Sequence, residues 1–229
     1  MFVQRRVHWG RKITAAQVAR AKYYTTRYPV GYTAPPAVKT VSLSYGGKEY
    51  KVVDIGEHWA KEHISSCVAS GLLSPSGDPS YAYFRPNSSI TRAQAVTALY
   101  RAKGCPKPKS EASFTDIIED WYRDAVSWAV SEGIVSGVTE DTFDPYSPVK
   151  REQLALMLHR YAGCKDATAD LSAFADAGEI APFAESGVMW AVKSNILSGK
   201  DGLLLPKGEI TRAEFCAAII RLSHALVAA

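Results

Sequence analysis

Three near-identical strings constrain this chain more than any other feature: Ile90-Thr91-Arg92-Ala93-Gln94, Val149-Lys150-Arg151-Glu152-Gln153 and Ile210-Thr211-Arg212-Ala213-Glu214. Their arginines stand 59 and then 61 residues apart. A period of that length marks a tandem array, in which each unit is one supersecondary element too small to bury its own apolar faces. Each string also places a cation where a helix should begin. That is unfavourable for the helix dipole unless an anion comes to it.

The rest of each unit follows the same order. Asp54, Asp116 and Asp176 open the units, with Phe114 and Phe174 two residues before the second and third and Val52 before the first. A helical pattern follows, ending at Gly71-Leu72-Leu73-Ser74, Gly133-Ile134-Val135-Ser136 and Asn195-Ile196-Leu197-Ser198. Glycine and asparagine share a tolerance for the left-handed backbone that closes helices. A polar turn leads to Phe84-Arg85-Pro86, Phe143-Asp144-Pro145 and Leu205-Pro206, and then to the signature. Thr91 with Gln94, and Thr211 with Glu214, are capping boxes that start a second helix. Lys150 replaces the threonine in the second unit, which loses the cap. The expected class is all-α: three helix–loop–helix units at 50–105, 112–164 and 172–226, separated by Gly104–Ser110 and Gly163–Ser172.

Residues 1–49 form a separate N-terminal segment, a linker or docking arm. Thr14 to Tyr24 reads as a short helix, and Val41 to Val52 as a hairpin around Gly46-Gly47. Met1 to Lys12 is basic and lacks the apolar stretch of a secretory signal. A net charge of +4 mildly favours an anionic partner and falls far short of a nucleic-acid-binding stripe. No apolar run is long enough to span a membrane. Cys67, Cys105, Cys164 and Cys216 lack metal-ligand spacing and are expected as free thiols.

The succession Phe114-Thr115-Asp116, Trp59-Ala60, Gly133-Ile134-Val135-Ser136-Gly137, Phe143-Asp144-Pro145 and Ile210-Thr211-Arg212-Ala213-Glu214 resembles the S-layer homology (SLH) domain. Three tandem copies is that family's usual arrangement, and the resemblance runs from about residue 52 to 225. It implies a largely helical, pseudo-threefold spindle with a central bundle and three prongs. It also implies non-covalent attachment to the bacterial cell envelope: cell surface, cell wall or S-layer. The implied ligand is a secondary cell-wall polysaccharide bearing pyruvate ketals, held in grooves between units. The chain departs from the pattern at Val52, Pro75, Lys150, Glu152, Asn195 and Ala181-Pro182, so the grooves are expected to be unequal.

A pyruvylated sugar presents a fixed carboxylate, which the planar fork of an arginine binds bidentately. Arg92, Arg151 and Arg212 are therefore candidate ligand contacts, at helix starts whose unpaired N–H groups also favour anions. The alternative is pairing with an Asp or Glu of a neighbouring unit, for instance Asp54, Asp116 or Asp176. Lys150 is a further candidate cation. Trp59, Trp121, Trp128 and Trp190 are candidates for stacking on sugar rings, with core packing as the alternative. Ser74, Ser136 and Ser198 could hydrogen-bond a sugar or close a local turn. The repeated aspartates are expected to cap the first helix or to pair with arginine.

The five histidines are scattered, and no nucleophile elbow, P-loop or dinucleotide fingerprint is present. No catalytic residue, metal site or cofactor is expected, and the chain reads as a non-enzyme. The rival reading is a structural or protein-interaction module of a larger envelope or virion assembly, docked through residues 1–49.

Overall fold

The second helix of every unit begins at its signature arginine. The computed structural model describes residues 39–164, 166 and 168–227. The helix predicted over Thr14 to Tyr24 lies outside them. The described elements are β1 Val41–Tyr45, β2 Lys48–Val52, α1 Lys61–Ala69, β3 Ser76–Asp78, β4 Tyr81–Tyr83, α2 Arg92–Ala102, α3 Asp120–Ser131, α4 Arg151–Tyr161, α5 Glu185–Lys193 and α6 Arg212–Val227. The units therefore contribute helix pairs α1/α2, α3/α4 and α5/α6.

Local chemistry explains the helix ends. Thr91 Oγ1 accepts from the Gln94 N–H while Gln94 Oε1 accepts from the Thr91 N–H, each at 3.3 Å. Thr211 and Glu214 make the same reciprocal pair. At Lys150 half the box survives, with Gln153 Oε1 accepting from the Lys150 N–H at 3.0 Å. Gly71, Gly133 and Asn195 all adopt positive φ (71°, 67° and 54°), closing the first helix of each unit as expected.

The units close into a ring. Helix α2 packs on α3, α4 on α5, and α6 returns to α1. At the centre the Ile90 N–H donates to Ile210 O, Ile210 N–H to Val149 O, and Val149 N–H to Ile90 O, at 2.9, 2.8 and 3.0 Å. All three residues are completely buried. The first-turn donors of each second helix reach the following unit. Arg92 and Ala93 donate to Ser147 and Pro145 carbonyls, Arg151 and Glu152 to Gly208 and Pro206, and Arg212 and Ala213 to Ser88 and Pro86. The free helix-start amides expected to favour an anion are thus already satisfied by protein.

The chain is not purely all-α. Gly46 and Gly47, both at positive φ, turn β1 into β2 with Val41 opposite Val52, as the hairpin pattern predicts. The hairpin does not stand apart with residues 1–49. β2 pairs in parallel with β4, which pairs antiparallel with β3, giving a sheet of order β1-β2-β4-β3 in the first unit. Leu43 and Val52 carry it into the core. Strands β3 and β4 depart from the all-α expectation because Ser76-Gly77-Asp78 and Tyr81-Ala82-Tyr83 are too short to show a period.

Candidate functional site: the grooves between units

Each signature arginine reaches across a seam and grips the loop of the next unit. Arg92 Nε donates to Phe143 O and Nη2 to Ser136 O, both at 2.9 Å. Arg151 repeats this with Leu204 O at 2.8 Å and Ser198 O at 2.9 Å. Arg212 repeats it with Phe84 O at 2.9 Å and Ser74 O at 3.1 Å. The guanidinium carbons of Arg92 and Arg212 also sit 4.5 Å from the Phe143 and Phe84 ring centres. Two edges of each fork are therefore committed to backbone carbonyls. The third amine, Nη1, meets Glu214 Oε1 at 3.0 Å in Arg151 and Gln94 Oε1 at 3.5 Å in Arg212. No hydrogen bond is found for it in Arg92 among the described residues.

The register of the third unit is corrected by this geometry. Leu204, buried and bonded to Arg151, occupies the place of Phe84 and Phe143. Leu205 corresponds to Arg85 and Asp144, and all three have positive φ (54°, 59° and 59°). The repeated aspartates hold this strained step. Asp54 accepts from the N–H groups of Phe84 and Arg85, Asp116 from Phe143 and Asp144, and Asp176 from Leu204 and Leu205. They neither cap the first helix nor form ion pairs with the signature arginines; their oxygens are turned to the two adjacent backbone N–H groups instead.

The four candidate tryptophans divide. Trp128 and Trp190 are buried, Trp128 between Tyr100 and Tyr161 and Trp190 against His159. Trp59 and Trp121 are 62% and 46% exposed. Both stand 12 residues before the glycine that ends their helix, and the same count from Asn195 lands on Phe183, itself 58% exposed. Reading forward from Asp176 puts Ala181 there instead. Two extra residues, wound into 3-10 turns at Ala177–Glu179 and Pro182–Ala184, hide the equivalence. Counting backward from the helix end is the signal that finds Phe183.

Two cavities join these groups. One, of about 400 Å³, is lined by Arg92, Ser136, Val138, Gln153, Arg160 and Phe183, among others. The other, of about 160 Å³, is lined by Trp59, Arg151, Ser198, Lys200, Glu214 and Arg221. Each takes an arginine from one unit, a turn and helix face from the next, and an exposed aromatic from the third. The serines contribute their carbonyls to the arginines, and their side chains stand at the exposed rim. Lys150 is exposed, and its backbone bridges to Glu209. Among the described residues, no group of His, Cys, Asp and Glu could hold a metal ion, and no helix is long and apolar enough to cross a membrane. Cys67 and Cys216 are buried, Cys105 and Cys164 exposed, and all four are free thiols.

The family model for the S-layer homology domain matches residues 53–96, 113–155 and 173–216. The chain is 32% identical over 168 residues to a surface-layer 125 kDa protein of Lysinibacillus sphaericus, covering 71% of this chain and 14% of that protein. It is 28% identical to an amylopullulanase of Thermoanaerobacterium thermosulfurigenes, covering 74% of this chain and 9% of the relative. It is 26% identical to exoglucanase XynX of Acetivibrio thermocellus, covering 74% of this chain and 16% of the relative. The chain thus spans only a small part of each of these relatives' lengths.

Proposed function

The chain belongs to the S-layer homology domain family, and we propose that it fastens a protein non-covalently to a bacterial cell wall by binding an anionic, pyruvylated polysaccharide in the grooves between its units. The observation that carries this reading is the three-part groove. An arginine, a polar turn and an exposed aromatic from three successive units converge on one cavity. An exposed aromatic stacks on the weakly apolar face of a sugar, while the arginine meets the ketal carboxylate. Trp59, Trp121 and Phe183 are the stacking groups in this reading, and Trp128 and Trp190 serve the packing. The cyclic hydrogen-bonding supports the pseudo-threefold spindle implied by the resemblance. The site of action in this reading is the cell surface.

The module is a binder rather than an enzyme. Relatives with glycosidase names are matched over 9% and 16% of their lengths, which leaves most of each to carry the chemistry its name describes.

Replacing the arginines is a poor test, since each also bonds two carbonyls across a seam. The exposed rings are better. Trp59→Ala, Trp121→Ala and Phe183→Ala together should abolish co-sedimentation with polysaccharide-bearing peptidoglycan while the circular dichroism spectrum and Tm stay close to the parent's. Equal sedimentation with peptidoglycan stripped of its polysaccharide would refute the reading.

A further inference from the structure

Three positions share one backbone geometry and carry three different charges. Arg85, Asp144 and Leu205 each follow the residue whose carbonyl holds a signature arginine. Each has φ between 54° and 59°, and each donates its N–H to the unit's aspartate. The side chains therefore leave the backbone in the same direction beside Arg212, Arg92 and Arg151 respectively.

One groove contains a paired counter-ion, and a second has a carboxylate nearby. Arg151 is ion-paired with Glu214 at 3.0 Å. Burial lowers the Arg92 pKa, and Asp144, beside the grip, is the foremost charge opposing that shift. The groove where the third unit returns to the first has neither. Its residue facing Arg212 Nη1 is the neutral Gln94, and the neighbour is a second, exposed cation, Arg85. Burial lowers the Arg212 pKa, and Arg85 lowers it further, while Cys216, Cys67 and Asp54 act the other way. Among the described residues no carboxylate lies within ion-pair distance of Arg212 or of Arg92, so what separates those two grooves is the charge at the shared left-handed position, Arg85 in one and Asp144 in the other. The aspartates of the loop and Arg101, Arg160 and Arg221 recur in all three units and cancel in the comparison.

A second observation comes from the wall. Leu156 and Ala217 line the two cavities described above. Their counterpart in the closing unit is Thr97, which is 4% exposed and whose hydroxyl has no hydrogen-bond partner. A buried hydroxyl left unpaired costs free energy, and the equivalent positions in the other two units are apolar.

We infer that the groove closed by Arg212 on the first unit is the strongest anion site of the three, with Arg85 as the specificity-determining cation. This rests on the anchoring function proposed above and adds which groove dominates and why. A carboxylate there meets two guanidinium groups with no ion-pair partner among the described residues, whereas Lys200 in the Arg151 groove comes with the Arg151–Glu214 pair. In the other grooves it must compete with Asp144 or displace Glu214.

Titration calorimetry of the whole chain with a synthetic pyruvate-ketal monosaccharide tests this. Arg85→Gly suits the left-handed backbone and should leave Tm at or slightly above the parent's, so loss of fold does not confuse the result. It should weaken the tightest site roughly tenfold at low ionic strength and less in high salt. Asp144→Asn should strengthen a weaker site several-fold. An unchanged tightest Kd in a folded Arg85→Gly protein would overturn the inference and leave the anchoring function standing. No binding of the sugar by the parent protein would overturn both.

Discussion

The first and second units carry the same aspartate bracket but fill the space behind it differently. In the second, the loop before the signature folds over Phe114, and a Cβ on Gly137 would overlap the Thr139 carbonyl and stand 2.5 Å from that ring. The third unit repeats this with Phe174 and Gly199, where a Cβ would lie 2.9 Å from Leu203 O. In the first unit Val52 stands for the phenylalanine and Pro75 for the glycine, and the loop is a pair of strands on β2. The two departures from the repeat are one change. Removing the ring takes away one barrier to a residue larger than glycine, and the loop carbonyls that form the other are laid out differently once the loop pairs as strands. The repeat preserves a filled volume and two satisfied N–H groups rather than particular side chains.

That comparison is broken most severely at Gly137. Gly137→Ala drives a methyl into backbone carbonyls that cannot rotate away, and should cost about 3 kcal/mol in denaturant unfolding. Gly133→Asn is the control. Its φ is 67°, a Cβ there meets nothing within 4 Å, and the third unit already uses Asn195. It should cost only a few tenths of a kcal/mol. Combining Gly137→Ala with Phe114→Val should not restore stability, because the Thr139 and Thr142 carbonyls still crowd the methyl. Full recovery would mean that the ring alone demands glycine.

The bracket itself is the next test. Asp116→Ala strands the part-buried N–H groups of Phe143 and Asp144, which should cost about 2 kcal/mol. Asp54→Ala should cost less, because the first unit's loop is also tied by Lys51 N–H to Pro79 O at 2.7 Å and by the strand pairing. Equal losses in urea titrations of the two variants would show that the sheet adds no local support.

Much of this is legible from the repeat because helix starts and stops are local chemistry. Capping residues and left-handed closures need only their own few neighbours, and both fall where the pattern puts them. The groove is only half legible. The arginines stand out, but their first partners are carbonyls in the next unit, and carbonyls leave no trace in a sequence. Phe183 is hidden by a two-residue lengthening of the third unit. The lengthened loop is held by a side chain of the second unit. Glu152, alanine in the other copies, is buried and accepts from the Ala181 N–H and from Lys207 Nζ at 2.9 and 2.7 Å. A change that looks like the decay of one signature is the brace for another unit's longer entry loop. Such compensation lies across a seam, and a single unit's pattern cannot display it.

The smallest expected effect has the opposite sign and separates geometry from charge. Leu205 shares its backbone conformation with Arg85 and Asp144, but its side chain is apolar and 41% exposed, and the residue sits at φ 54°. A γ-branched residue held in the left-handed region carries a cost of about 1 kcal/mol that glycine does not. Against this, glycine gives the unfolded chain more freedom, and the Leu205 side chain lines the wall of the smaller cavity. Strain and lost contact oppose each other, and strain outweighs the contact because the side chain is substantially exposed. Leu205→Gly should therefore stabilise the fold by about 0.5 kcal/mol, read as a small rise in the urea midpoint at unchanged m-value. The same substitution at Arg85 should give the same small rise in stability while weakening the closing groove. If Leu205→Gly destabilises instead, the left-handed step is held by side-chain packing as well as by the aspartate, and the three equivalent positions are not interchangeable in geometry after all.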